Sequence, residues 1–288
     1  AVYRNQNDPL EAADGRSVVR YRLQHEPLPG MPARMHLLRH AQRLLRNRGH
    51  RPDSREAQRA GIAARRAACP AKKRATIGTG SMNDPYMPVE RELRLTRRAL
   101  GMIADERFPV HVITKSSLVE RDADILQEIS ATYAAVSFTV TCADDALSVR
   151  TEPGAPASSE RFRAMAALAA KGIYTGVTMM PLLPLINDTR ENVEAIVRRA
   201  KDAGASYILP MFGVTLRSGS REHFHATLDR KFPGLKARYE ACFGNRYECF
   251  SPSYRKLNDT FRNLCAKLGL ETRMRFYAPT LPEQGSLF

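Results

Sequence analysis

The sequence predicts an α/β fold built on a parallel sheet. Short, nearly unbroken apolar stretches recur through the chain from residue 75 to residue 212. Between them lie longer stretches with apolar residues at helical spacing, the strand-then-helix alternation of a parallel sheet. The third observation is a cluster of small and polar residues where the first strand passes into its helix. Strand–helix repeats hold ligands at that end.

The strands are predicted over residues 75–79, 110–114, 134–141, 173–180 and 206–212. Helices are predicted over 89–105, 120–131, 158–171, 189–203 and 221–231. The first of these places Leu93, Leu95, Ala99, Leu100 and Ile103 on one face, with Arg and Glu between them. Asp188-Thr189 ahead of Glu191 supplies a cap and an early acid for the helix over 189–203. Gly172 and Gly204 stand where helix C-terminal caps belong. From residue 221 onward the chain turns helical, with further helices over 235–242 and 254–268 and a final strand over 270–277.

A chain of 288 residues can bury a sizeable core in one large domain or two small ones. Its formal charge is +15. Residues 1–75 hold 17 of the 45 Lys and Arg and 6 of the 30 Asp and Glu, an excess of 11, and the remaining 213 residues have an excess of 4. The basicity therefore sits in the first quarter. That quarter has little to fill a core, so its composition predicts a poorly ordered basic segment over 1–70. A basic arm can also grip nucleic acid phosphates. No apolar run reaches the length of a membrane span and no signal peptide opens the chain, so a cytoplasmic protein without a membrane partner is expected. Five cysteines (Cys69, Cys142, Cys242, Cys249, Cys265) lack metal or disulfide spacing and read as buried thiols. No P-loop, HExxH or serine-hydrolase elbow occurs, which leaves kinase and hydrolase readings without support.

Five blocks carry a resemblance: GTGSMNDPYMPVE (78–90), ITKSSLVERD (113–122), TVTCADDALSVRTEPGAPASSERF (139–162), GVTMMPLLPLINDTRENVEAIV (176–197) and GVTLRSGSREHF (213–224). In this order they resemble the radical S-adenosylmethionine (radical SAM) enzymes, in the branch similar to spore photoproduct lyase and often labelled DNA repair photolyase. The resemblance runs from about Lys72 to Phe288. It implies a partial (β/α)6 TIM-type barrel over 71–218, with a helical C-terminal extension over 219–288. Five visible strands and one lost upstream would make that six.

The resemblance also implies S-adenosylmethionine and a 4Fe–4S cluster as cofactors, with flavodoxin or ferredoxin as electron donor and nucleic acid as a possible substrate. Reductive cleavage of the cofactor would give a 5′-deoxyadenosyl radical. Family members hold the cluster with Cys-x3-Cys-x2-Cys just upstream of the GTGSM block. Here Met31, Met35 and Leu38 occupy that spacing. Methionine has the single codon ATG, and Pro32 and His36 begin with C, so a reading one nucleotide later gives TGC, cysteine, at both methionines. Leu38 followed by Arg39 gives the same if Leu38 is CTG. The segment before about Ala71 thus reads as an out-of-frame translation of the cluster loop and first helix. As written, the chain is expected to be inactive. The alternatives are a cluster-less barrel acting as a binding module or remnant, and a nucleic acid binder using the basic arm.

Candidate cofactor-binding residues follow from position. Ser81, Asn83 and Asp84 lie on the turn where family members bind the amino group of S-adenosylmethionine, though an Asx-type turn would also explain them. Lys115 ends a strand and can hold a carboxylate, or pair with Glu120 or Asp122. Thr139 and Thr141 alternate on one strand and so face one side, the barrel interior. Arg150 corresponds to an arginine thought to reach cofactor or substrate in the family, with a solvated Arg150–Glu152 pair as the rival. Arg161 could cap the same site. Met180 closes the strand that packs beside adenine in the family, although methionine also serves as core filler. Asn187 and Asp188 are explained by helix capping, and Arg217, Arg221, His223 and His225 as surface residues.

Overall fold

The computed structural model describes residues 75–80 and 83–278. The expected cluster positions Met31, Met35 and Leu38, the expected first strand, Cys69 and Ser81 lie outside the described residues. Strands β1 (Ile77–Thr79), β2 (Val110–Thr114), β3 (Ala134–Thr139), β4 (Tyr174–Met179) and β5 (Tyr207–Pro210) form one sheet in chain order. Every neighbouring pair is parallel. The helices between them are α1 (Glu90–Leu93), α2 (Leu95–Asp105), α3 (Ala123–Ser130), α4 (Asp145–Thr151), α5 (Ser158–Ala169) and α6 (Arg190–Asp202). Then follow β6 (Gly213–Thr215), α7 (Ser220–Lys231), α8 (Leu235–Phe243), β7 (Glu248–Phe250) and α9 (Tyr254–Leu268).

Strand alternation sends Val110, Val112, Val136, Phe138, Val177 and Ile208 to the outer face, where the helices bury them in the main core. The inner face is different. Ala135, Tyr207 and Met274 are buried there, flanked by Tyr133, Tyr174 and Leu209. α9 packs along α6 and adds Leu257, Phe261, Leu264 and Cys265 to the main core. A second, smaller core (Leu216, Leu228, Tyr239, Phe243, Cys249) joins α7, α8 and the antiparallel β6–β7 pair to Leu185 and Ile186, on the loop after β4.

Several elements differ from expectation, each for a local reason. The helix expected over 89–105 breaks at Arg94, which has φ 49°. Glu90 is buried and its carboxylate accepts from Leu95 N at 2.8 Å, so the side chain of one helix caps the next. The helix expected over 120–131 opens as a 3-10 turn (Ser117–Asp122) and becomes α-helical at Ala123. The strand expected over 270–277 is a single parallel bridge from Glu271 to Tyr207. Beyond it the chain crosses under the amino ends of the strands. There Tyr133 Oη donates to Arg275 O at 2.5 Å and Arg275 N donates to Tyr174 Oη at 3.1 Å. Side-chain hydroxyls take the hydrogen bonds a ladder would have made. α4, β6 and β7 had no counterpart in the sequence reading: each is under eight residues and amphipathic over too short a span to register.

Candidate functional site

The inner face is closed below and open above. Below, Met274 and the aromatic group Tyr133, Tyr174 and Tyr207 fill the amino end of the half-barrel. The register then lines up Ile113, Ser137, Gly176 and Tyr207, and one step higher Thr139, Thr178 and Leu209. A Cβ on Gly176 would lie 2.4 Å from the Tyr207 ring, so only glycine lets that ring cross the barrel. Tyr207 Oη is 2.7 Å from Ser137 Oγ, which is 2.8 Å from His111 Nε2. Burial drives the His111 imidazole down to about 4 and the Tyr207 phenol far up, so both are neutral near pH 7. This polar chain forms the floor. Above it, Thr139 Oγ1 and Thr178 Oγ1 meet at 2.8 Å, both buried.

The carboxyl ends of β1, β2 and β3 make the rim. Gly80 has φ 89°, and a Cβ there would sit 1.9 Å from Ile113 O, so the β1 loop presses directly on β2. Asp84 fixes that loop: its carboxylate accepts from Thr114 Oγ1 at 2.7 Å, Lys115 N at 2.7 Å and Tyr86 N at 2.9 Å. The last of these is the anticipated Asx turn; the other two tie the loop across to the next strand. Asn83 is exposed beside it.

Side chains take three of the carbonyls at the end of β3. Arg161 Nη1 donates to Thr139 O at 2.8 Å, Asn187 and Asn192 donate to Thr141 O at 3.1 and 2.9 Å, and Ser158 Oγ donates to Cys142 O at 2.6 Å. Thr141 is buried, its hydroxyl 3.8 Å from Cys142 Sγ. Asn187 is thus a brace for β3, and the cap of α6 is Thr189, which accepts from Asn192 N. Asp188 accepts from Ser251 Oγ at 2.5 Å, linking the loop after β4 to the start of α9.

Three charged side chains converge on this rim. Lys115 Nζ lies 3.1 Å from Glu152 Oε1, and Glu152 Oε2 lies 2.5 Å from Arg161 Nη1. The partners weighed for Lys115 are engaged elsewhere, Glu120 with Arg163 and Asp122 with Arg97 and Arg121. Arg161 is fully buried, donates through Nε to Pro156 O at 2.9 Å, and leaves Nη2 without a partner among the described residues. With Asp84, whose carboxylate accepts from Lys115 N, the rim holds two cations and two carboxylates, and Lys115 is the cation among them that reaches solvent. Arg150 is not in this group. Its guanidinium stacks 4.1 Å from the Phe232 ring and donates to Lys231 O, while Lys231 Nζ donates to Arg150 O at 2.7 Å. Met180, half-buried just past β4 at a cis peptide to Pro181, edges the mouth.

The His111–Ser137–Tyr207 chain and Thr178 were missed in the sequence. A lone histidine in the apolar strand Val110–Thr114 was the available signal. His223 is exposed and His225 Nδ1 lies 3.7 Å from Glu240, both away from the mouth.

The five-stranded parallel sheet, plugged at the amino ends of its strands, is a fold shared with solved structures of spore photoproduct lyase. A double mutant of that enzyme, solved with bound AdoMet and dinucleoside spore photoproduct, superposes with a TM-score of 0.52 at 14% identity, covering 73% of this chain and 64% of that one. The complex with dinucleoside spore photoproduct gives 0.50 at 15% identity, with the same coverage of 73% and 64%. An uncharacterized protein of Mycobacterium tuberculosis (strain H37Rv) is 30% identical over 227 residues, 76% of this chain and 66% of that protein. An uncharacterized protein of Methanocaldococcus jannaschii is 30% identical over 157 residues, 54% of this chain and 56% of that one. The chain therefore spans just under two thirds of the length of the relatives it matches. No family model matches. Among the described residues no helix is long and apolar enough to cross a membrane.

Proposed function

We propose that this chain is a radical SAM barrel that binds S-adenosylmethionine at its mouth and, as written, does not cleave it. The observation that carries the reading is the Lys115 side chain, 38% exposed on the rim of a half-barrel plugged at its other end. In this reading Lys115 takes the carboxylate of S-adenosylmethionine. The loop after β1, held by Asp84, offers the backbone acceptor of Asn83 to its amino group. Thr139 and Thr178 limit its depth, and Met180 lies beside the adenine. Arg150, committed to Phe232, has no part in it.

When bound beside a reduced 4Fe–4S cluster, S-adenosylmethionine supplies a carbon-centred radical that takes hydrogen from a substrate. The described residues do not fit the cluster. No three of their His, Cys, Asp or Glu side chains are grouped to hold a metal. Cys142, Cys249 and Cys265 are buried on separate elements, and burial raises the Cys249 thiol and pushes that of Cys265 up to about 12, away from the thiolate that iron requires. No step is therefore assigned to it. The substrate is left open between a nucleic acid lesion, of the kind bound to spore photoproduct lyase, and a small molecule. The excess of only 4 positive charges over residues 76–288 favours the latter.

The test is anaerobic reconstitution with iron and sulfide of the chain as written and of a version with the reading frame restored over residues 23–70. The brown cluster absorption and 5′-deoxyadenosine are expected from the restored version alone. 5′-Deoxyadenosine from the chain as written would contradict the proposal.

A further inference from the structure

A lysine on a flexible stem makes a poor anion site unless something fixes its head. Glu152 is placed to do so. It stands at the C-terminal end of α4, where its N–H donates to Ser148 O at 2.8 Å. One carboxylate oxygen meets Lys115 Nζ and the other meets Arg161 Nη1. Arg161 cannot follow it outward. That side chain is fully buried and bonded through Nε and Nη1 to the carbonyls of Pro156 and Thr139. The chain of contacts thus runs from the β3 backbone through Arg161 and Glu152 to the Lys115 ammonium, which is 38% exposed at the mouth.

We infer that Glu152, braced by Arg161, is a positioning residue that holds the Lys115 ammonium where a ligand carboxylate can meet it. This rests on the reading of the mouth as an S-adenosylmethionine site and adds to it a role for an acidic residue. The sign of the effect is what makes it testable. A carboxylate beside an anion site repels the ligand, so if Glu152 only balanced charge, its removal would favour a carboxylate ligand. If it positions Lys115, its removal weakens that ligand.

The experiment measures dissociation constants of S-adenosylmethionine and its decarboxylated counterpart on the full chain, on Glu152→Gln and on Lys115→Met. The ratio of the two constants isolates the carboxylate contact. The full chain should prefer the carboxylate-bearing ligand, and Glu152→Gln should lose at least about fivefold of that preference, approaching Lys115→Met. A preference that rises or stays constant in Glu152→Gln, while Lys115→Met abolishes it, overturns the positioning role and leaves the proposed site standing. Equal binding of both ligands to the full chain, or binding of neither, overturns both. Acetylation of Lys115, followed by mass spectrometry, gives a readout independent of ligand. It should quicken in Glu152→Gln, and an unchanged rate overturns the inference whatever the ligands do.

Discussion

Two buried acids in the resembling blocks serve the architecture at residue scale. Glu90 and Asp122 lie inside a lattice with Arg97 and Arg121: Arg121 Nη2 is 2.8 Å from Glu90 and its Nε 2.8 Å from Asp122, and Arg97 Nη1 is 3.0 Å from Asp122. These pairs lock the 3-10 turn after β2 to the first two helices, which in turn hold the β1 loop. Asp84 belongs to the same class, since its three donors are all within the fold. His111 gives this scale its prediction. Its folded value near 4 lies below its ordinary 6.5, because burial disfavours the charged ring. Its contribution to stability is therefore complete above about pH 6.5 and is lost as pH falls toward 4, where the unfolded chain binds the proton and the folded one does not. Between pH 7 and pH 5 this costs about 1–2 kcal/mol. Urea midpoints at the two pH values should differ by less in His111→Asn than in the native chain, whatever the variant does to absolute stability.

The elements are held by what their ends touch. β3 is the reference of the site: the carbonyls of Thr139, Thr141 and Cys142 are each met by a side chain from α5, α6 or the loop before α6. β4 and β5 set the floor, and Gly176 is the residue on which it turns. Gly176→Ala should destabilise the protein by about 1–3 kcal/mol, because a methyl at 2.4 Å forces the Tyr207 ring out of place. Tyr207→Leu in the same chain should recover part of that loss. If the two substitutions simply add, the ring contact is not the cause. The sequence reading placed this glycine inside a strand without a reason for it. The reason is on the neighbouring strand, 31 residues away.

The whole molecule rests on two cores of unequal reach. The main core runs from α2 to α9, and Phe261 is buried in it edge-on to Phe212 with ring centres 6.1 Å apart. The second core holds α7, α8 and the β6–β7 pair against the loop after β4 and against Arg150. Phe261→Ala should cost about 3–5 kcal/mol and lower the midpoint of global unfolding. Phe243→Ala, in the second core, should instead speed amide exchange within residues 213–250 while β1–β5 keep their protection. Loss of protection across the sheet in Phe243→Ala would show one cooperative unit in place of two.

The sequence by itself determined the parallel α/β class, the order of strands and helices, and the positions of Lys115 and Thr139 at the carboxyl ends of their strands. Those follow from periodicity and from residues within a few positions of one another, which local spacing records. Only the tertiary structure decided that Lys115 pairs with Glu152, that Arg150 turns away to Phe232, that Asn187 braces β3, and that residues 271–277 plug the barrel floor. Each of these is a contact between residues far apart along the chain. A charge in a sequence can pair with any opposite charge, and only packing selects which one it meets.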